Sequence, residues 1–186
     1  LLAIGIPMIV FSFAFFAFNM ISLIGGAMIN CAFLCFIYTI WKTVNKQREI
    51  NIHSVYIIVS SIWLVLTAFV GFLILLNFNY SFLSKESIYY LSFHAHIGFV
   101  GWFLLLIIGV SSRLFPMFLM SEYNNEPLLK LILWVVNIAL ISYLAIFLFF
   151  NELNLHVIPI VCISAAVFAY LYYCFNVFTT RLKKKK

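Results

Sequence analysis

Charge is the scarcest property of this chain. Aspartate is missing altogether, and charged residues of every kind make up 9% of the 186 positions, compared with about 25% in an ordinary soluble domain. Hydrophobic residues make up 66%. A soluble fold of this composition would expose most of its apolar side chains to water. The composition therefore excludes an ordinary soluble domain and indicates a protein that folds in a lipid bilayer.

Several motifs of soluble and ATP-driven proteins are also missing. The sequence has no phosphate-binding loop, no dinucleotide fingerprint, no HExxH, no CxxC and no GxSxG. No Asp or Glu falls within the apolar runs, which argues against transport driven by carboxylate protonation. The four cysteines form no evident disulfide framework. Cys31 and Cys35, spaced i and i+4, are interpreted as small hydrophobic residues, with Cu(I) ligation as the less favoured alternative.

Apolar runs of about 20 residues, the length that crosses a bilayer as a helix, are abundant instead. The alternating pattern of β-barrel strands is absent. We predict an all-α fold, a polytopic membrane helix bundle of about six transmembrane helices. It forms a single transmembrane domain over residues 1–186, expected to be a fragment of a longer chain. The predicted helices are Leu1–Phe18, Ile21–Trp41, Val55–Leu76, His94–Met120, Leu128–Phe150 and His156–Thr180.

Lysine and arginine fall almost entirely on one side of this predicted bundle. Six helices place alternate loops on alternate sides, and ten of the eleven Lys and Arg residues then share a side, leaving Lys85 on the other. The positive-inside rule makes the ten-residue side cytoplasmic, so we predict a multi-pass protein of the cell membrane with both termini cytoplasmic. The basic tail Arg181–Lys186 is expected to contact anionic lipid headgroups, and the net charge of +6 requires no nucleic acid.

The four histidines divide between the two sides. His53 falls in the predicted loop Lys42–Ser54 and is interpreted as a solvated residue. His94, His96 and His156 fall at the outer ends of predicted helices four and six. Ionisable or metal-ligating residues at such positions suggest a functional site, although histidine also tolerates the headgroup region well, so interface placement remains the alternative.

Helix geometry limits what His94 and His96 can do together. Residues i and i+2 point about 200° apart on a regular α-helix, so the two cannot face one ligand unless the helix begins between them. Either could be an axial haem ligand. On a regular helix His96 shares a face with Val100, Phe103 and Ile107, and His94 shares a face with Gly98 and Gly101, which allow close approach of a neighbouring helix or a flat ligand.

Two charged residues near these histidines have predicted partners. Arg113 lies 17 residues after His96, about 25 Å along a helix, so it should not serve a haem held by His96. It is expected to extend toward the headgroups or to pair with Glu122. Glu152 precedes His156 by four residues, which allows either a carboxylate–imidazole pair that orients a ligand or an ordinary surface pair.

The segment His94-Ala95-His96-Ile97-Gly98-Phe99-Val100-Gly101-Trp102, continuing to Gly109, Arg113 and Pro116, resembles the histidine-bearing helices of membrane proteins related to haem-copper oxidase subunit I. It is especially similar to the NnrS group, which is associated with haem, copper and nitric oxide stress. The positions that match that group's helix are His96, Gly101, Gly109 and Arg113. The His-His pair and the His-x-x-x-Tyr of an oxygen-reducing copper site are absent, and His156 is the candidate for a second axial ligand.

The resemblance implies a haem- or metal-binding integral membrane protein with a role in electron transfer or in handling nitric oxide or another gas. It implies haem b, or copper, as the cofactor, with His96 as the primary ligand and His94 and His156 as secondary ligands. The expected partners are the lipid bilayer, other membrane subunits or a redox partner. The alternative is a non-enzymatic membrane subunit or a transporter half without a cofactor.

Overall fold

The computed structural model describes residues 1–16, 18–46, 51–150 and 154–181, and these residues form helices and no strand. An isolated bridge pairs Ser121 with Arg181. The predicted all-α fold is confirmed. The helices are α1 Leu2–Ala14, α2 Met20–Val44, α3 Ile52–Tyr80, α4 Ser87–His96, a π-helix Ile97–Leu104, α5 Leu105–Leu119, α6 Glu126–Phe149, a 3-10 turn Asn154–His156 and α7 Val157–Thr179.

Five helices in the described ranges are long and apolar enough to cross a bilayer: α2, α3, the continuous helix Ser87–Leu119, α6 and α7. The chain is therefore a multi-pass membrane protein. Helix α1 is shorter than predicted, with 13 residues that rise about 20 Å, less than the roughly 30 Å of a hydrocarbon core. It ends early because Phe16 takes a left-handed φ of 50°, and Asn19 then caps α2 by accepting a hydrogen bond from the Ile21 amide.

The predicted loop Asn77–Phe93 is wrong in its extent. Helix α3 continues to Tyr80 and α4 begins at Ser87, so the connection is short. The buried side chain of Asn77 explains this, because its Nδ2 donates to Ser87 Oγ at 3.0 Å while its Oδ1 accepts from the Leu83 amide at 2.7 Å. Of the aromatic residues in this range, Phe78 and Tyr80 belong to the end of α3, and Tyr89, Tyr90 and Phe93 belong to α4.

The chain divides into two compact units. The first unit comprises Leu1–Arg48 and Ser60–Trp102. Its helices approach closely at glycines. A Cβ at Gly25 would lie 3.0 Å from the carbonyl oxygen of Gly5, and one at Gly26 would lie 2.8 Å from the ring of Phe72. These small residues let α2 pack against α1 on one side and against α3 on the other.

The second unit comprises Glu49–Val59 and Phe103–Lys186. Tyrosine hydroxyls connect its helices through backbone carbonyls. Tyr56, which is fully buried, donates to the carbonyl of Leu129 at 2.8 Å, and Tyr173 donates to the carbonyl of Ser112 at 3.2 Å. Gly109 makes room for the side chain of Tyr56.

Candidate functional site

His94 and His96 both lie within the continuous helix Ser87–Leu119. This helix begins seven residues before His94, about two turns, so the predicted start of the helix at His94 is wrong. The helix does not begin between them, and they therefore point in different directions. His94 lines a partly open cavity of the first unit, whereas His96 does not. Both side chains are half-buried.

The imidazole of His94 rests on α3 at Gly71. A Cβ at position 71 would lie 2.9 Å from Cε1 and 3.3 Å from Nδ1 of the ring. Only glycine leaves this space, so the contact defines where the imidazole lies. Sequence reasoning did not identify Gly71, because a single glycine in an apolar run gives no signal of a partner 23 positions away.

One nitrogen of this imidazole has no partner. The ring interacts with the backbone of Thr67, one turn before Gly71. Nδ1 is buried and has no hydrogen-bond partner. Buried polar atoms are nearly always hydrogen-bonded, and an exception calls for an explanation such as a bound ligand.

The cavity beside His94 has a volume of about 350 Å³. This is at the lower end of the range for small-molecule sites in proteins, about 300–1,000 Å³. Its walls are apolar and aromatic, with three polar side chains, and all of its lining residues belong to the first unit. The lining residues are Ile9, Phe13, Gly26, Ile29, Asn30, Phe33, Leu64, Thr67, Ala68, Gly71, Phe72, Ile74, Leu75, Leu91, His94 and Trp102.

The other two polar residues of the cavity are held by backbone carbonyls. Thr67 Oγ1 donates to the carbonyl of Trp63 at 2.7 Å. Asn30 Nδ2 donates to the carbonyls of Gly26 at 2.9 Å and Ala68 at 3.3 Å. Their hydrogens are therefore directed at backbone, and what they can offer a ligand is a hydrogen-bond acceptor.

A π-helix follows His96 directly and spans Ile97–Leu104. Such segments account for well under 1% of residues in proteins and often occur at functional sites. It packs tightly on α3, since a Cβ at Gly98 would lie 2.9 Å from Thr67 Cγ2 and one at Gly101 would lie 2.7 Å from the ring of Trp63. These two glycines therefore allow α3 to pack closely against the π-helix.

The π-helix also changes the faces predicted from a regular helix. The predicted wall of Val100, Phe103 and Ile107 does not form one buried surface, because Val100 is 8% exposed whereas Phe103 and Ile107 are 44% and 42% exposed. The reason is the wider turn, with hydrogen bonds from i to i+5, which shifts the direction of every residue after it. The apolar face beside His96 was derived for a regular helix, and it stays a prediction.

His156 belongs to the second unit and is described there alone. It ends the 3-10 turn before α7, is half-buried, and has its ring centroid 5.5 Å from that of Tyr143. Its Nδ1 is likewise buried without a hydrogen-bond partner. The predicted pairing with Glu152 lies outside the described residues.

His53 is not the solvated loop residue that was predicted. It lies in the first turn of α3, half-buried, with Nδ1 3.0 Å from Ser112 Oγ. Ser112 Oγ also lies 3.1 Å from the carbonyl of Gly109, to which it can donate. The contact joins α3 to α5.

The remaining predicted site residues form no centre. Arg113 is exposed, in keeping with extension toward the headgroups, and the ion pair found among the described residues is Lys130–Glu126 at 3.6 Å rather than Arg113–Glu122. Cys31 and Cys35 are exposed free thiols on α2.

No protein-family model, no curated protein and no solved structure matches the chain. The resemblance to haem-copper oxidase-like proteins therefore rests on the residues of the segment from His94 to Pro116. In the described part of the chain, no three His, Cys, Asp or Glu side chains come together as a metal site would require.

Proposed function

We propose that this chain is a haem-binding integral membrane protein with a role in electron transfer or in handling nitric oxide or another gas, and that His94 is its axial ligand. The observation that carries the proposal is His94, which lines an apolar cavity and whose buried Nδ1 has no hydrogen-bond partner. Histidine nitrogen is the commonest protein ligand for haem iron in globin-like sites. The π-helix on the same span is a second unusual feature that supports a site here.

The charge balance of the cavity favours haem over a bare metal ion. None of the described residues that line it is Asp, Glu, Lys or Arg. A free divalent cation would have no counter-charge there, and an unpaired charge is costly at low dielectric. In ferrous haem the porphyrin dianion balances the iron, while the two propionates of haem b carry negative charge that no described residue of this lining would neutralise. Copper would also need several protein ligands, whereas haem needs one or two.

The residues around His94 would each contribute to such a site. Gly71 leaves space for the imidazole, and the backbone of Thr67 orients it, as partners of ligating histidines commonly do. The apolar walls would exclude water from the bound group. When bound, haem supplies one-electron redox and gas-binding chemistry.

The resemblance and the cavity favour different histidines as the primary ligand. The family-like spacing to Gly101 and Arg113 begins at His96, whereas the cavity is lined by His94. We place His94 first because its side chain lines the cavity and its Nδ1 has no hydrogen-bond partner, and keep His96 as the secondary candidate. We further propose that the chain resides in the cell membrane with both termini cytoplasmic, on the strength of the one-sided distribution of Lys and Arg.

The test is the visible spectrum of the purified chain. Wild type in detergent, supplied with haem, should bind one haem per chain and show a Soret band. His94→Ala should lose the band or shift it, because the iron loses its ligand. His53→Ala is the matched control, since His53 is half-buried but bonded to Ser112, and it should leave the spectrum unchanged. A colourless wild type that binds no haem refutes the proposal and favours the cofactor-free subunit.

A further inference from the structure

Asn30 can offer the cavity of the first unit a hydrogen-bond acceptor. Its Nδ2 lies 2.9 Å from the carbonyl of Gly26 and 3.3 Å from the carbonyl of Ala68. The reverse orientation of the amide would place Oδ1 against two carbonyl oxygens, where it has nothing to accept. Oδ1 is therefore the atom left over. It accepts no hydrogen bond from the described part of the chain and, unlike Nδ1 of His94, it is not enclosed by its neighbours.

The polar hydrogens of the cavity wall are directed away from a ligand. Those of Asn30 point at two carbonyls, and the hydroxyl of the buried Thr67 donates to the carbonyl of Trp63 at 2.7 Å. His94 rests its ring on Gly71, with Nδ1 enclosed there. A molecule that hydrogen-bonds to Asn30 in this cavity must therefore bring the donor itself.

The walls favour an uncharged aromatic molecule. The lining includes the rings of Phe13, Phe33, Phe72 and Trp102, and none of its described residues is Asp, Glu, Lys or Arg. Aromatic rings gain from offset or edge-to-face contact with one another, whereas a charged ligand would lose its hydration without gaining a counter-charge. An apolar cavity of about 150 Å³ in another protein holds benzene. The volume of about 350 Å³ here leaves room for a pair of fused rings with a substituent.

We propose that this cavity binds a neutral, lipid-soluble phenol, whose hydroxyl donates to Oδ1 of Asn30 while its ring packs against the aromatic walls. The pKa of a phenol is near that of tyrosine, about 10, so the ligand is uncharged at pH 7. This inference goes beyond the proposed function and does not rest on it, because it needs neither haem nor a bond to histidine. Haem and a phenol would compete for the same cavity.

The experiment titrates 2-naphthol and its methyl ether, 2-methoxynaphthalene, into the full chain in detergent without added haem, with protein-free micelles as the blank. The two probes share their rings, and only 2-naphthol can donate a hydrogen bond. Wild type should bind 2-naphthol about 5–10-fold more tightly, the usual net contribution of one hydrogen bond. Asn30→Leu should lose this preference.

Asn176→Leu is the matched control and should keep the preference for 2-naphthol. Asn176 Nδ2 also donates to the carbonyl four residues earlier, that of Tyr172 at 2.8 Å, but Asn176 lies in α7 and does not line the cavity. Ala68→Leu tests the location without altering the Asn30 amide. Ala68 lines the cavity, and the larger side chain takes up its volume, so both probes should bind more weakly.

Equal affinity of wild type for the two probes overturns the proposal and identifies a cavity that takes any apolar chain. A preference retained by Asn30→Leu, or unchanged binding of 2-naphthol to Ala68→Leu, overturns it as well. The wild-type and Ala68→Leu measurements do not depend on the folding of Asn30→Leu. Failure of wild type to bind haem leaves all of these outcomes unaffected, so the two proposals can fail separately.

Discussion

The ring of His94 and the backbone of Gly71 are complementary to each other. Cε1 of the imidazole lies 2.9 Å from the place where a Cβ at position 71 would stand, closer than real Cβ contacts occur. The imidazole is thus seated against an α-helix on the one residue without a side chain. This contact joins α4 to α3 inside the first unit and fixes the position of the candidate ligand.

Gly71→Ala should destabilise the protein by about 1–3 kcal/mol, the usual cost of forcing extra atoms into a packed site. The added methyl group must displace the ring or separate the two helices. Haem binding, if it depends on His94, should weaken at the same time. The free energy of unfolding in detergent and the haem titration measure the two effects.

The control is Gly71→Ala in a protein that lacks the imidazole of His94. In a His94→Ala background, Gly71→Ala should be neutral or stabilise by about 0.5–1 kcal/mol, because alanine is the better helix former. The difference between the two backgrounds is the coupling energy of the pair. An equal loss of stability in both would show that something other than the imidazole opposes a side chain at position 71.

The sequence predicts the helices well and their contacts poorly. Hydropathy identifies five spans because each must be apolar over its whole length, whatever it packs against. The connection after α3 was misplaced because the amide of Asn77, not the pattern of aromatic residues, shortens it. The contact of His94 with Gly71 could not be predicted from the sequence either, because it depends on how α4 packs on α3.

The π-helix is a second feature that the local sequence does not predict. Its hydrogen bonds run from i to i+5, a pattern that no local propensity marks. Gly98 and Gly101 were recognised as small residues that allow close approach, but their partners, Thr67 and Trp63, come from α3. The faces assigned to His94 and His96 were derived from a regular helix, whereas the residues that follow His96 form a π-helix.

Tyr56→Phe should destabilise the second unit by about 1 kcal/mol. The change removes the hydroxyl that donates to the Leu129 carbonyl at 2.8 Å and leaves the ring in place. Tyr172→Phe is the control, because Tyr172 is 60% exposed and should be indifferent to the loss of its hydroxyl. Both variants are compared with wild type by thermal unfolding in one detergent. Equal stability of Tyr56→Phe and wild type would show that the hydrogen bond contributes nothing.

Reporter fusions should show that the connection between α3 and α4, which contains Lys85, lies on the opposite side of the membrane from the C-terminus. A fluorescent reporter after Lys186 should be active in the cytoplasm, and alkaline phosphatase inserted beside Lys85 should be active outside it. The reason is that ten of the eleven basic residues share one side of the predicted topology. Phosphatase activity from a fusion at Lys186 would contradict this orientation.

The two histidines of α4 should differ in their effect on a bound haem. His94→Ala should abolish or shift the Soret band, whereas His96→Ala should leave its position unchanged and alter affinity by less than about 10-fold. The physical reason is direction: the two side chains stand about 200° apart on α4, and His94 is the one that lines the cavity.

The two variants are compared by titrating haem into each, and ligation is read from the position of the Soret band. His53→Ala again serves as the control for loss of an imidazole outside the first unit. The reverse result, in which His96→Ala loses the band and His94→Ala keeps it, would transfer the ligand role to the histidine that the family resemblance favours. The unpartnered nitrogen of His94 would then need another explanation, such as a buried water held between the imidazole and Asn30, because both residues line the same cavity.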